Sequence, residues 1–235
     1  MVKSGTMKNI SIVIGTKNSH KVKEILAIWR QFRDNNPSIK FLPSTSFPDI
    51  PSVNEDGRTY LENAAKKALI WAKNTGYPTL AEDSGIEVKA LKWQPGRYSA
   101  RYAYLNKTKN ASYKNNNQKL LDKLKGLPMA KRIARYRCSA VLASPQGKII
   151  TKSAGICWGK ITLKPMGKNG FGYDPVFIPS HKTAHSNLLT FGQLPTRLKH
   201  SISHRGKALR KLFQRLPQIL DTLDKKPYII KILTK

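Results

Sequence analysis

The stretch Asn9–Thr16 (NISIVIGT) constrains the fold most: its β-branched run, ended by a glycine, reads as a buried strand. Lys21–Phe32 follows almost at once and sets Val22, Ile25, Leu26, Ile28, Trp29 and Phe32 at helical spacing. A buried strand that runs directly into an amphipathic helix opens an α/β layer rather than a helical bundle or a β-sandwich.

The rest of the chain continues that alternation. Asp34–Pro51 is broken by prolines and leaves room for a short strand near Ile39–Leu42. Thr59-Tyr60-Leu61-Glu62 is a capping-box pattern and predicts a helix to about Asn74. Thr79–Ala81 predicts a short strand ending at Glu82-Asp83-Ser84-Gly85. Tyr113–Leu124 predicts a helix closed by Gly126, and Gln94–Tyr113 before it is loop-rich. Ala134–Ser144 and Lys148–Cys157 predict a hairpin around Pro145-Gln146-Gly147. Lys164–Pro179 is rich in turn residues, and Ser203–Leu216 predicts a last helix stopped near Pro217. With no internal repeat and no linker, residues 1–235 read as one α/β domain with a mixed sheet.

Composition narrows the classes. Hydrophobic residues make up 40%, enough for a core and too many for a disordered chain. No apolar run approaches the roughly 20 residues of a membrane helix. The N-terminus lacks the apolar centre of a secretory signal, so the cytoplasm is the expected location. Cys138 and Cys157 cannot build a disulfide scaffold and show no zinc spacing; they read as small buried hydrophobes.

The formal charge is +30, from 43 Lys+Arg against 13 Asp+Glu. Such a surplus attracts polyanions: nucleotide phosphates, nucleic acid or an acidic membrane. Yet 31 of the 43 are lysines scattered along the chain, among plentiful Asn and Ile, as an AT-rich genome produces. Charge alone therefore selects no partner. A nucleic-acid-binding module is the rival reading, and no nucleic-acid motif supports it. The acids are more selective. Seven of the 13 fall between Asp49 and Glu87, namely Asp49, Glu55, Asp56, Glu62, Glu82, Asp83 and Glu87. An acidic island of this kind suits a hard divalent cation, or else a solvated face offset by lysines.

Four stretches combine residue types that carry chemistry. Gly15-Thr16-Lys17-Asn18-Ser19-His20-Lys21 joins strand to helix, where free N–H groups and a partial positive charge suit phosphate. It lacks the P-loop spacing, and simple helix capping by Asn18 or Ser19 would also explain it. Glu82-Asp83-Ser84-Gly85, with Asn54-Glu55-Asp56-Gly57 upstream, puts adjacent carboxylates where a cation would relieve their repulsion. The alternative is Asp-Ser-Gly turn chemistry, and Glu62 belongs to the capping box. Gly170-Phe171-Gly172-Tyr173-Asp174-Pro175 offers a ring to stack on a flat ligand and a carboxylate to accept its N–H groups; an aromatic turn packed on the core is the alternative. Ser203-His204-Arg205-Gly206 puts His and Arg at a helix start, where they can meet a carbonyl, a base edge or a phosphate; Ser203 alone would be a cap.

Taken in order, these stretches resemble the Ham1-like family, the inosine/xanthosine triphosphate pyrophosphatases. The family's Thr-x-Asn-x-x-Lys core is matched by Thr16, Asn18 and Lys21, and its Glu-Asn-Ala helix by Glu62–Ala68. Its acidic Asp-Asp-Ser-Gly is matched by Glu82-Asp83-Ser84-Gly85, and its Tyr-Ser-Ala-Arg-Tyr by Tyr98–Tyr102. Gly-Phe-Gly-Tyr-Asp-Pro stands intact at Gly170–Pro175, Ser-His-Arg-Gly at Ser203–Gly206, and the family's preceding lysine falls on Lys199. The resemblance runs from about Met7 to Phe213, leaving residues 1–6 as an extension. The chain departs from the family pattern at Lys17 and His20 (glycines), Glu82 (Asp), Asn54 (the first of two glutamates) and Gln193 (Glu), and Ser180–Leu189 is slightly extended.

The resemblance implies an α/β fold with a long mixed sheet, flanking helices and two lobes around a substrate cleft. It implies hydrolysis of ITP, dITP or XTP to the monophosphate and pyrophosphate. Mg²⁺ is the implied cofactor, held by Asp83 with Glu55 and Glu82 as ligands or supports, and Asp83 is the implied general base. Thr16, Lys17, Asn18, Ser19, His20 and Lys21 would cradle the triphosphate. Phe171, in its Gly172-Tyr173 turn, would stack on the purine; Asp174, His204 and Arg205 would read its edge, with Lys199 and Ser84 close by. Homodimers are usual in the family, and neither a specific nucleic acid nor a membrane is an implied partner.

Overall fold

In the computed structural model, which describes residues 9–35, 38–104, 111–180 and 188–223, one six-stranded sheet has the order β2-β1-β3-β4-β5-β6. β1 (Ile10–Ile14) runs parallel to β2 (Ile39–Leu42), with Ile10 opposite Ile39, and parallel to β3 (Thr79–Val88), with Val13 opposite Thr79. β4 (Ile133–Ala143) and β5 (Ile149–Ile161) are joined by a tight turn in which Ser144 N donates to Lys148 O. β5 pairs antiparallel with β6 (Phe177–Pro179), so the sheet is mixed, as expected. The helices are α1 (Ser19–Trp29), α2 (Tyr60–Thr75), α3 (Tyr113–Lys123), α4 (Thr196–Ile202), α5 (His204–Phe213) and α6 (Leu216–Leu223).

Most elements fall where the pattern puts them. α2 begins at Thr59, whose hydroxyl accepts from Glu62 N, and ends at Gly76 in the left-handed conformation. Three differences stand out. β3 does not stop at Ala81; it runs on through Glu82-Asp83-Ser84-Gly85, so this stretch is a strand and not a turn. Pro217 does not end the last helix but lies in the first turn of α6, where a missing N–H costs nothing. β6 and α4 arise in segments whose turn residues hide them. Residues 1–6 lie outside the described residues, as does most of Ser180–Leu189.

The chain divides into two compact units. The first comprises Met1–Glu82, Ala140–Ser153 and Leu209–Lys235. There Ala64, Ala68 and Ala72 of α2 pack on Ala81, Val141 and Ala143, a small-residue seam that lets the helix approach the strands closely. Trp29, Phe41 and Phe213 meet edge to face, with centroids 4.9 to 5.6 Å apart. The second unit comprises Asp83–Ser139 and Ala154–Ala208. Its core gathers Leu120, Tyr136, Tyr173, Phe177 and Phe191, each worth about 1.5–3 kcal/mol of burial for a side chain of that size. Arg132 is buried there without a carboxylate; its guanidinium donates to the carbonyls of Leu124, Ile161 and Thr162. Cys138 and Cys157 are both buried, and burial pushes the Cys157 thiol up to about 11, so it stays protonated and apolar.

Candidate active site

In the first unit, β1 ends at Gly15. A Cβ there would lie 2.7 Å from Thr79 Cγ2 and 3.2 Å from the Trp71 ring, so only glycine lets the strand pass. The loop that follows is held by its own short side chains. Thr16 Oγ1 accepts from Asn18 N (3.2 Å), and Asn18 Oδ1 accepts from His20 N (3.0 Å) and Lys21 N (3.2 Å). The amides of His20 and Lys21 are therefore capped by Asn18, one of the two capping residues the sequence offers. Lys17, Ser19 and His20 remain exposed around the positive end of α1. Lys21 reaches Glu82 Oε1 at 2.8 Å, and the Glu82 side chain is completely buried. Glu82 thus has a fixed counter-charge, which explains how a carboxylate sits inside a strand.

The acidic loop upstream is tied to α2 residue by residue. Glu62 Oε2 accepts from Arg58 N (2.7 Å), and Asn63 Oδ1 accepts from Gly57 N (2.8 Å). Lys66 Nζ meets Asp56 Oδ1 (2.7 Å), and Lys67 Nζ meets Glu55 Oε1 (2.9 Å). Positions 62, 63, 66 and 67 share one helix face, and they take 58, 57, 56 and 55 in reverse order. Glu62 reaches Arg58 rather than its own cap residue. The Lys66 ammonium lowers the Asp56 carboxyl below its ordinary value.

β3 carries the rest of the acidic stretch. Consecutive strand residues point to opposite faces, so Glu82 and Asp83 do not converge as a turn would make them. Asp83 is nearly buried, and its Oδ1 accepts from Ser84 N at 2.9 Å. Among the described residues, no group of three or more His, Cys, Asp and Glu is placed to hold a metal ion.

The second unit gathers the remaining candidates. Gly170 and Gly172 both have positive φ, +75° and +65°, and a Cβ on Gly170 would collide with the Asp174 carboxylate. Asp174 Oδ2 accepts from Phe171 N (2.8 Å) and from Lys199 Nζ (2.6 Å), a pair whose side chains are each 4% exposed. The half-buried Phe171 ring has the Lys199 ammonium 5.2 Å and the Arg205 guanidinium 5.3 Å from its centroid, with Tyr113 at 6.0 Å. The Tyr173 ring turns inward and donates its hydroxyl to Ser99 O at 2.8 Å, and burial raises its pKa. The Tyr173 ring therefore belongs to the core. Ser203 Oγ caps α5 by accepting from Gly206 N (3.1 Å), His204 stacks on Tyr136, and Arg205 Nη2 donates to Ser84 Oγ (2.9 Å). Gly155 is glycine because a Cβ would strike the first turn of α5 at His204 O. Gln193 Oε1 accepts from Thr190 N (3.1 Å), as one oxygen of the family's glutamate could, so this departure keeps the local turn.

Two contributors escape a reading of the sequence. Asn117 Nδ2 donates to Gly172 O (3.1 Å), and neighbouring Asn116 holds Ala103 N (2.8 Å) and Ala100 O (3.1 Å). Three consecutive asparagines inside a helix are poor helix formers, and that cost was their signal. Replacing Asn117 by Leu leaves the Gly172 carbonyl unpaired and is expected to lower stability by about 1–3 kcal/mol. Urea unfolding of the purified variant checks this; an unchanged midpoint would show that the Asn117 bond does not anchor the turn.

Comparison with known proteins agrees with this architecture. The model of the Ham1 family matches residues 12–215, and the chain belongs to that family. It is 46% identical over 198 residues to the dITP/XTP pyrophosphatase of Geobacter sulfurreducens, covering 84% of this chain and 92% of that protein. It is 43% identical over 211 residues to the dITP/XTP pyrophosphatase of Desulforamulus reducens, covering 89% of this chain and 97% of that protein. Among solved structures it resembles a HAM1 protein from Coxiella burnetii, with TM-score 0.74, 36% identity and coverage of 89% and 99%.

Proposed function

We propose that this chain is a nucleoside triphosphate pyrophosphatase that hydrolyses ITP, dITP and XTP to the monophosphate and pyrophosphate, clearing them from the nucleotide pool. The observation that carries the proposal is the setting of Phe171: a half-buried ring flanked by Lys199, Arg205 and a buried carboxylate, Asp174. A purine stacks on such a ring. Hypoxanthine and xanthine present a six-keto oxygen that His204 or Arg205 can donate to, and a ring N–H that Asp174 can accept. Adenine reverses both and leaves buried groups unpaired, at about 1–3 kcal/mol each.

The triphosphate belongs with Thr16, Lys17, Asn18, Ser19, His20 and Lys21. Asn18 and Thr16 fix the loop, while Lys17, Ser19 and His20 present donors at the start of α1. A water attacks the α-phosphorus, the bond from that phosphorus to the bridging oxygen breaks, and pyrophosphate leaves with the electron pair. The Asp83 carboxylate takes the proton of the attacking water.

By donor type the Asp83 carboxylate fits Mg²⁺, a hard ion whose shell is completed by substrate phosphates and water. Asp83 would hold the ion. Glu55 and Glu82, paired with Lys67 and Lys21, would be further ligands or supports. When bound, the ion neutralises charge on the phosphates and lowers the pKa of a bound water. The family resemblance further supports a homodimer, a cytoplasmic location and a single catalytic domain over 1–235, with no nucleic-acid or membrane partner. Among the described residues, no helix is long and apolar enough to cross a membrane.

The test is pyrophosphate release from ITP, XTP, dITP, ATP and GTP, with Mg²⁺ and with EDTA. Fast release from ITP, dITP or XTP, abolished by EDTA and far slower with ATP and GTP, is expected. Absence of release from all five by folded protein, or release of orthophosphate in its place, would overturn the proposal.

A further inference from the structure

Tyr136, on β4, serves no role in the reaction above, yet it touches both base-facing elements of the second unit. Its ring lies flat against the His204 imidazole, with centroids 4.4 Å apart and planes 3° from parallel. Phe177 meets the ring edge-on at 4.8 Å and Phe191 stacks at 6.1 Å, so the ring has no room to tilt. The Tyr173 backbone and the charges of Asp174 and Arg205 lie near enough to its hydroxyl to act on it. The residue is 7% exposed, so it acts through these neighbours rather than on a ligand.

We infer that Tyr136 is a positioning residue for purine selection. Its ring holds the His204 imidazole in one plane, and its hydroxyl fixes the middle of the Gly170–Pro175 turn. This inference rests on the purine reading of the site given above. The physical need is angular. A hydrogen bond weakens steeply as it bends, and a recognition site tolerates only about 10–20° of error in its donors. A surface lying against the face of an imidazole narrows the swing of its two rotatable bonds toward that tolerance. In the same way the ring of Phe171 keeps its place only if the turn carrying it does. Asn117 anchors that turn at Gly172 and Lys199 at Asp174, while Tyr136 lies beside Tyr173 with its ring against His204.

The test compares Tyr136→Phe, Tyr136→Leu and His204→Ala by kcat and KM for ITP and for ATP. Tyr136→Phe keeps the ring and is expected to raise the KM for ITP about threefold, with kcat held. Tyr136→Leu removes ring and hydroxyl and is expected to lower the ITP-to-ATP ratio of kcat/KM about tenfold, chiefly through KM. A folded Tyr136→Leu protein with the native ratio, while His204→Ala loses it, overturns the positioning role alone. Retention of the ratio in His204→Ala as well overturns the purine reading and the inference with it. If Tyr136→Leu does not fold, the Tyr136→Phe, His204→Ala double-mutant cycle decides: coupled losses support the role, and additive losses overturn it.

Discussion

The Asp83→Asn protein is expected to keep its fold and to lose about 10²–10⁴-fold in kcat. Asn retains an oxygen in the place of Oδ1, so the 2.9 Å bond from Ser84 N survives and β3 is undisturbed. What disappears is a carboxylate able to take a proton. Steady-state pyrophosphate release from ITP, beside a thermal melt of the same preparation, separates the two effects. A melt unchanged within a few degrees with kcat reduced less than tenfold would remove Asp83 from its assigned role.

The second large effect concerns stability. Lys199→Met is expected to destabilise the protein by about 3–5 kcal/mol, because it leaves the buried Asp174 carboxylate without its cation. Methionine matches the lysine stem in length, so packing against Phe171 and Phe191 is largely kept. The loss is therefore electrostatic rather than steric. Asp174 also accepts from Phe171 N, so the disturbance passes directly to the ring proposed to stack on the base. Urea denaturation followed by intrinsic fluorescence measures it. A loss below about 1 kcal/mol would mean that Asp174 is compensated by other groups.

The regular elements were legible wherever local chemistry and global packing agree. Thr59 and Glu62 mark the start of α2, the β-branched run marks β1, and the residues around Gly147 mark the hairpin turn. β3 was read too short because Glu, Asp, Ser and Gly are all depleted in strands. Its continuation depends on partners remote in sequence: Lys21 for Glu82, and Arg135 and Arg137 for Glu87. The same distance hid Tyr136 and Asn117. Their residue types are ordinary, and their value lies in what they touch 55 to 68 positions away, at Gly172 and His204. The motifs themselves, Thr16–Lys21, Gly170–Pro175 and Ser203–Gly206, were legible because glycine and capping residues stand where the backbone demands them. Their internal bonding was not. That Asn18 consumes the helix-start amides follows only from geometry.

The four ties between α2 and the acidic loop run in opposite directions along the two segments, like teeth on the two sides of a zip. A segment of irregular backbone is thereby fastened at four points to a sixteen-residue helix. Releasing any one tooth is cheap, but swinging the loop away needs all four to part together, and Lys67 is buried where it holds Glu55. In a chain so rich in lysine, Lys66 and Lys67 here serve together as a clasp.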